Sequence, residues 1–155
     1  MRPFRATASA VVEAPPELVY GTIADYHKGH PSILPTQYFI SLEVEQGGVG
    51  AGTVFNCRMK VFGNIQSFRA VISEPEPGRV IVETGLDEGG VVTTFVVEPV
   101  NTGKHAAVTI TTDGSTRRRG VLGSIEGLLA TRFLERVYRK ELRQLARVCE
   151  GAMQP

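Results

Sequence analysis

The sequence predicts an α+β fold in which one antiparallel sheet of about seven strands is covered by a single long C-terminal helix. Three observations lead there. Apolar and polar residues alternate in seven stretches before residue 114, the two-residue period of a half-buried strand. The 17 glycines and 9 prolines of the 155-residue chain cluster mainly between those stretches, where they mark turns. From about Arg117 to Gly151 the apolar period becomes helical.

The first stretch places Phe4, Ala6, Ala8, Ala10 and Val12 on one face, with Arg5, Thr7 and Ser9 on the other. Ala14-Pro15-Pro16 stops it, and Pro16 suits the first turn of a short helix because its missing N–H is not needed there. Leu18, Val19, Ile23 and Tyr26 give that helix an apolar side ending near Asp25, and Gly29, Pro31 and Pro35 leave room for at most one further turn. Six more strands follow. Their inward residues are read as Ile40, Leu42 and Val44; Phe55, Cys57, Met59 and Val61; Phe68, Ala70 and Ile72; Val80, Val82 and Thr84; Val91, Thr93, Phe95 and Val97; and Val108, Ile110 and Thr112. Gly63-Asn64 reads as a tight hairpin turn. Connections this short favour a meander of neighbouring antiparallel strands.

In the terminal segment, Leu134, Val137, Tyr138, Leu145, Val148 and Cys149 share a face, and Arg132, Arg136, Arg139, Lys140, Arg143 and Arg147 lie opposite. Glu135 and Glu141 are read as partners of those basic residues. Traced back in the same phase, Gly120, Gly123 and Gly127 fall on the inward side, while Val121, Leu122, Ile125 and Leu129 fall on the basic side. The segment must therefore kink or break near Gly127, or its early apolar stripe must meet something other than the sheet. The glycines and the alanines of the first strand allow either close contact between helix and sheet or an empty volume between them. The second alternative is the expectation adopted here, because ligand sites are concave and mainly apolar.

Length and composition suit one domain, residues 1–155. A formal net charge of +1 gives no field for wholesale nucleic-acid binding, and no aromatic residues interleave with the arginines to stack bases. No apolar run is long enough for a transmembrane segment. Cys57 and Cys149 make no disulfide framework, so a reduced, cytoplasmic protein is expected.

The stretch VVEAPPELVYGTIADYHKGHPSILP resembles the opening motif of the START-like, or SRPBCC, superfamily: a strand, Ala-Pro, a short helix ending in Asp-aromatic, then a His/Trp-Pro segment. GVGAGTVF, EPEPGRVIVET, TTFVVEPVNTGKHAAVTI and the Arg-Leu-rich terminal helix follow in the order of its polyketide cyclase/dehydrase-like branch. The resemblance spans essentially the whole chain. It implies a helix-grip fold, with a curved antiparallel sheet wrapped around the C-terminal helix and a deep hydrophobic cavity between them. Because the superfamily includes lipid-transfer domains, quinone-binding proteins, hormone receptors and aromatase/cyclases, it implies a pocket more than a reaction.

The expected function is binding of a small hydrophobic ligand such as a lipid, quinone or polyketide-like aromatic. A cyclase, aromatase or dehydratase is the alternative, and an interaction module built on the C-terminal helix is a second one. The expected cavity and rim residues are Tyr26, His30, Tyr38, Phe55, Cys57, Met59, Phe68, Thr84, Thr93, Phe95, Ile110, Thr112, Leu122, Ile125 and Leu129. His30, Tyr26 and Tyr38 are assigned to the rim, and residues 119–127 to a gate, a contact surface or simply the kinked start of the helix. These inward faces carry hydroxyls and one thiol but no carboxylate, lysine or histidine, which argues against acid–base catalysis. Cys57, between Phe55 and Met59, reads as a small hydrophobe. His27 and His30 alone cannot complete a metal site, so neither a metal nor a cofactor is expected. The expected partner is a small apolar molecule, held by a monomer or a homodimer.

Overall fold

The structure, a computed structural model, describes residues 2–154. Its elements are β1 (Pro3–Val12), α1 (Pro16–Ala24), α2 (Gly29–Ile33), β2 (Phe39–Gln46), β3 (Val54–Val61), β4 (Asn64–Glu76), β5 (Val80–Gly85), β6 (Val92–Val100), β7 (His105–Ser115) and α3 (Gly120–Ala152). The sheet order is β1-β7-β6-β5-β4-β3-β2 and every pairing is antiparallel, so β2 to β7 form a meander and β1 returns beside β7. With the short helical insert after the first strand and α3 on the inner face, this is the helix-grip α+β fold.

The core lies where α1 and the C-terminal half of α3 meet the sheet. Val12, Ile81, Val97, Val108 and Ile110 come from the strands, Val19 and Ile23 from α1, and Val137, Leu142 and Leu145 from α3; all are essentially inaccessible. Burying each such side chain stabilises the fold by roughly 1.5–3 kcal/mol. The insert is tied down by polar contacts. The Asp25 carboxylate accepts the His27 and Lys28 backbone N–H groups, and Tyr26 N–H donates to the Gly48 carbonyl at 2.7 Å.

Helix α3 runs for 33 residues without a break, so the two apolar stripes are not separated by an interruption of the helix. Instead the early stripe is left outside: Val121, Leu122, Ile125, Leu128 and Leu129 are each at least half exposed. Gly123 and Gly127 serve close contact, and the expectation of empty space beside them is overturned, whereas a Cβ on Gly120 would meet nothing within 4 Å. A Cβ on Gly123 would lie 2.4 Å from the Arg118 carbonyl oxygen, and one on Gly127 would lie 3.3 Å from Thr116 Cγ2 and 3.8 Å from Phe4 Cβ. The alanines of β1 belong to the same tight side of the molecule, where Ala6 is fully buried.

Three local readings also change. A register shift between Phe39 and Ser41 turns Ile40 outward, to 47% exposure, and brings Phe39 inward. In β5 the phase is reversed, with Ile81 and Glu83 facing in and Thr84 facing solvent. Val80, Val82 and Ile81 are apolar in unbroken succession, so alternation alone does not fix the face. The β3–β4 turn is Phe62-Gly63 rather than Gly63-Asn64, because Val61 pairs with Asn64. Both turn residues have positive φ, 49° and 82°, as a two-residue hairpin loop of the twist-compatible kind requires.

Candidate functional site

Between α3 and the half of the sheet formed by β2 to β6 lies a cavity of about 260 Å³. Its wall is mainly apolar: Leu42 from β2, Phe55, Cys57 and Met59 from β3, Phe68 from β4, Phe95 from β6, and Phe133 and Leu134 from α3. Phe62, Gln66 and Val91 line it at exposed positions and mark its mouth. Phe62 stands 5.1 Å from Phe133, ring centre to ring centre, so the positive-φ hairpin tip sets an aromatic against the helix at that opening. An adjoining space of about 230 Å³ shares Phe55, Phe68, Glu83 and Thr93 with it and reaches Arg69, Arg117 and the loop at residues 87–90.

The buried end of the cavity is polar. Tyr26, at the end of the insert, stacks on His30 with ring centres 4.3 Å apart and on Phe55 at 5.1 Å. Its hydroxyl donates to Glu83 Oε2 at 2.6 Å. His30 Nδ1 lies 2.7 Å from the Ile23 carbonyl, which can only accept, so the proton sits on Nδ1 and the bare Nε2 faces Glu83 Oε2 at 3.6 Å. Burial lowers the His30 pKa to about 4, so at neutral pH this contact is not an ion pair. Burial pushes Glu83 the other way, up to about 7, against the pull of the Tyr26 hydroxyl.

Glu141 of α3 is buried at 2% exposure and lines the same cavity. Burial first, and the Glu83 charge second, hold its carboxyl well above the ordinary range. A row of hydroxyls runs beside the pair, with Thr93 Oγ1 2.7 Å from Thr112 Oγ1 and Thr112 in turn bonded to the Tyr138 hydroxyl. Burial also raises the Cys57 thiol to about 12, where it is protonated at any physiological pH.

Of the residues expected at the site, His30, Phe55, Cys57, Met59, Phe68, Thr93, Phe95 and Thr112 line the cavity. Tyr26 and His30 are buried at its inner end, not on its rim. Tyr26 backs the wall through Glu83, and Tyr38 does so edge-on against Phe133, with ring centres 5.5 Å apart. Ile110 belongs to the closed core. Thr84, Leu122, Ile125 and Leu129 are exposed and do not line the cavity. The stretch 119–127 thus forms the first turns of α3 with their apolar side outward.

Missing from the expected set were the two carboxyls. Glu141 sits on the α3 stripe of Val137, Tyr138, Leu142 and Leu145, so its wheel position carried the signal. Glu83 pairs with Thr93 in the ladder, as Ile81 does with Phe95, and cross-strand partners share a face. Among the described residues no group of three or more His, Cys, Asp or Glu side chains is placed to hold a metal ion.

No curated protein matches the chain significantly in sequence. Among solved structures it is similar to the KanY protein, at 27% identity and a TM-score of 0.80, over 97% of this chain and 100% of that one. It is similar in fold to the Zhui aromatase/cyclase from Streptomyces sp. R1128, at 20% identity and a TM-score of 0.82, covering 99% of this chain and 97% of that one. A START superfamily protein from Mycobacterium smegmatis aligns at 14% identity and a TM-score of 0.71, over 96% and 99% of the two chains. The family described as polyketide cyclase / dehydrase and lipid transport matches residues 3–150, nearly the whole chain, and the protein belongs to that family.

Proposed function

We propose that the protein binds a small, mainly apolar molecule in the cavity between α3 and strands β2 to β6. The observation that carries this reading is an interior space walled by Phe55, Met59, Phe68, Phe95 and Phe133 that no side chain of the described residues fills. A cavity dressed with apolar side chains and a few convergent polar groups is the usual form of a small-molecule site. The family described for lipid transport and for polyketide cyclases supports the same ligand class. Native mass spectrometry after gentle purification, followed by thermal unfolding against a library of lipids, quinones and polycyclic aromatics, tests it. A co-purified apolar molecule or a ligand-dependent rise in Tm is expected. Failure of every apolar class to bind would sink the proposal.

A second reading, a cyclase, aromatase or dehydratase acting on a polyketide-like chain, is favoured by the carboxyl pair. Such chemistry needs a titratable group within reach of the reacting atom, and a base is most effective when its pKa lies near the working pH. Glu83, at about 7, meets the second condition. Likeness to an aromatase/cyclase points the same way.

A further inference from the structure

The inner end of the cavity holds two carboxyls and, among the described residues, no lysine or arginine to balance them. Glu141 is 2% exposed, lines the cavity and makes no side-chain hydrogen bond to a described residue. Glu83 uses Oε2 for the Tyr26 hydroxyl and leaves Oε1 without a partner among the described residues. Of the described arginines, Arg69 and Arg117 belong to the adjoining opening, and Arg69 is engaged by Glu45 at 2.7 Å. His30 has spent its one N–H on the Ile23 carbonyl. The hydroxyls of Thr93, Thr112 and Tyr138 are linked in a chain that uses two of their three O–H groups and carries no positive charge. Two carboxyls lining one mainly apolar chamber cannot both ionise cheaply. One therefore keeps its proton as a hydrogen-bond donor, and the other serves as acceptor.

Resting on the ligand-binding reading above, we propose that Glu141 and Glu83 form a donor–acceptor site for the polar head of the ligand. That site selects an uncharged hydroxylated head, a phenol or the enol of a ketone, over a carboxylate. A single hydroxyl suffices: its oxygen accepts from the Glu141 carboxyl while its hydrogen goes to Glu83 Oε1. Glu141 is the donor because it is the deeper of the two and has no protein donor of its own to hold a charge, whereas Glu83 has Tyr26. The rings of Phe55 and Phe95 then flank the apolar body. A carboxylate head would add a further negative charge where nothing neutralises it, at a large desolvation cost.

Four probes with one ring system separate the heads: naphthalene, 2-naphthol, 2-naphthoate and 2-naphthylmethylammonium. Their affinities for the full chain, measured by calorimetry at pH 7, are expected to rank 2-naphthol about tenfold tighter than naphthalene, the gain of a hydrogen bond to a charged acceptor. The carboxylate should bind more weakly than naphthalene. Glu141→Leu should erase the preference for 2-naphthol while naphthalene still binds, and Glu141→Gln, which keeps a donor, should restore part of it. If Glu141→Leu does not fold, the wild-type ranking decides alone. Equal affinity for naphthalene and 2-naphthol, or tightest binding of the carboxylate or the ammonium, overturns the head site and leaves the cavity reading standing. Binding of none of the four, nor of any apolar library member, overturns both.

Discussion

Cys57 illustrates how side chains in one wall acquire different chemistry. It touches the cavity, yet burial raises its thiol to about 12, and among the described residues no lysine or arginine lines the chamber to draw it down. Cys149 is also buried, with its thiol raised by the same cause. Since the thiolate is the reacting form, iodoacetamide at pH 8 should modify both cysteines on the order of a hundredfold more slowly in the folded protein than in urea, followed by intact mass. Rapid labelling of Cys57 in the folded state would overturn its assignment as a packing residue. The carboxyls show the opposite outcome of the same burial. Sequence alone places Glu141 with the arginines, because charged residues are mostly exposed. A residue flanked by Val137, Tyr138, Leu142 and Leu145 has no such choice, since the helix holds it on their face. Glu83 was hidden for a different reason: its orientation follows from strand register, which alternation in an all-apolar run does not encode.

At the scale of elements, the seven strands, the insert and the terminal helix were all legible, because periodicity and turn residues are local signals. What small residues do was not legible, because whether two layers touch depends on both of them. Gly21 and Gly123 separate the cases. Both lie in helices, but a Cβ on Gly21 meets nothing within 4 Å, whereas one on Gly123 meets the Arg118 carbonyl at 2.4 Å. Gly21→Ala is expected to stabilise the protein by about 0.5–1 kcal/mol through helix propensity alone. Gly123→Ala is expected to destabilise it by about 1–3 kcal/mol, because backbone must move to admit the methyl group. Urea unfolding of the two variants tests the contrast, and stabilisation by both would mean that α3 does not approach residues 116–118 closely. Tight packing against β1 leaves the larger side chains of β3, β4 and β6 to hold α3 off the sheet, and there the cavity opens.

For the molecule as a whole, the buried ionisable groups tilt stability against pH in opposing directions. The folded pKa of Glu83, about 7, exceeds its ordinary value of 4.5, so between those limits the folded state holds the extra proton. Stability from this group therefore falls as pH rises through the window. Glu141, raised further, extends the same trend upward. His30 has a folded pKa of about 4 against an ordinary 6.5, so there the unfolded state holds the extra proton and stability rises with pH. Between 4.5 and 6.5 the slopes of Glu83 and His30 oppose one another; above 6.5 only the carboxyls remain, and the protein should lose stability towards pH 8. Glu83→Gln keeps the shape and an acceptor for the Tyr26 hydroxyl while removing the titration. Relative to the wild type it should gain about 2 kcal/mol more at pH 8 than at pH 5 in denaturant unfolding. An equal change at both pH values would show that Glu83 is ionised in the folded state throughout, and the donor–acceptor division between Glu141 and Glu83 would lose its electrostatic basis.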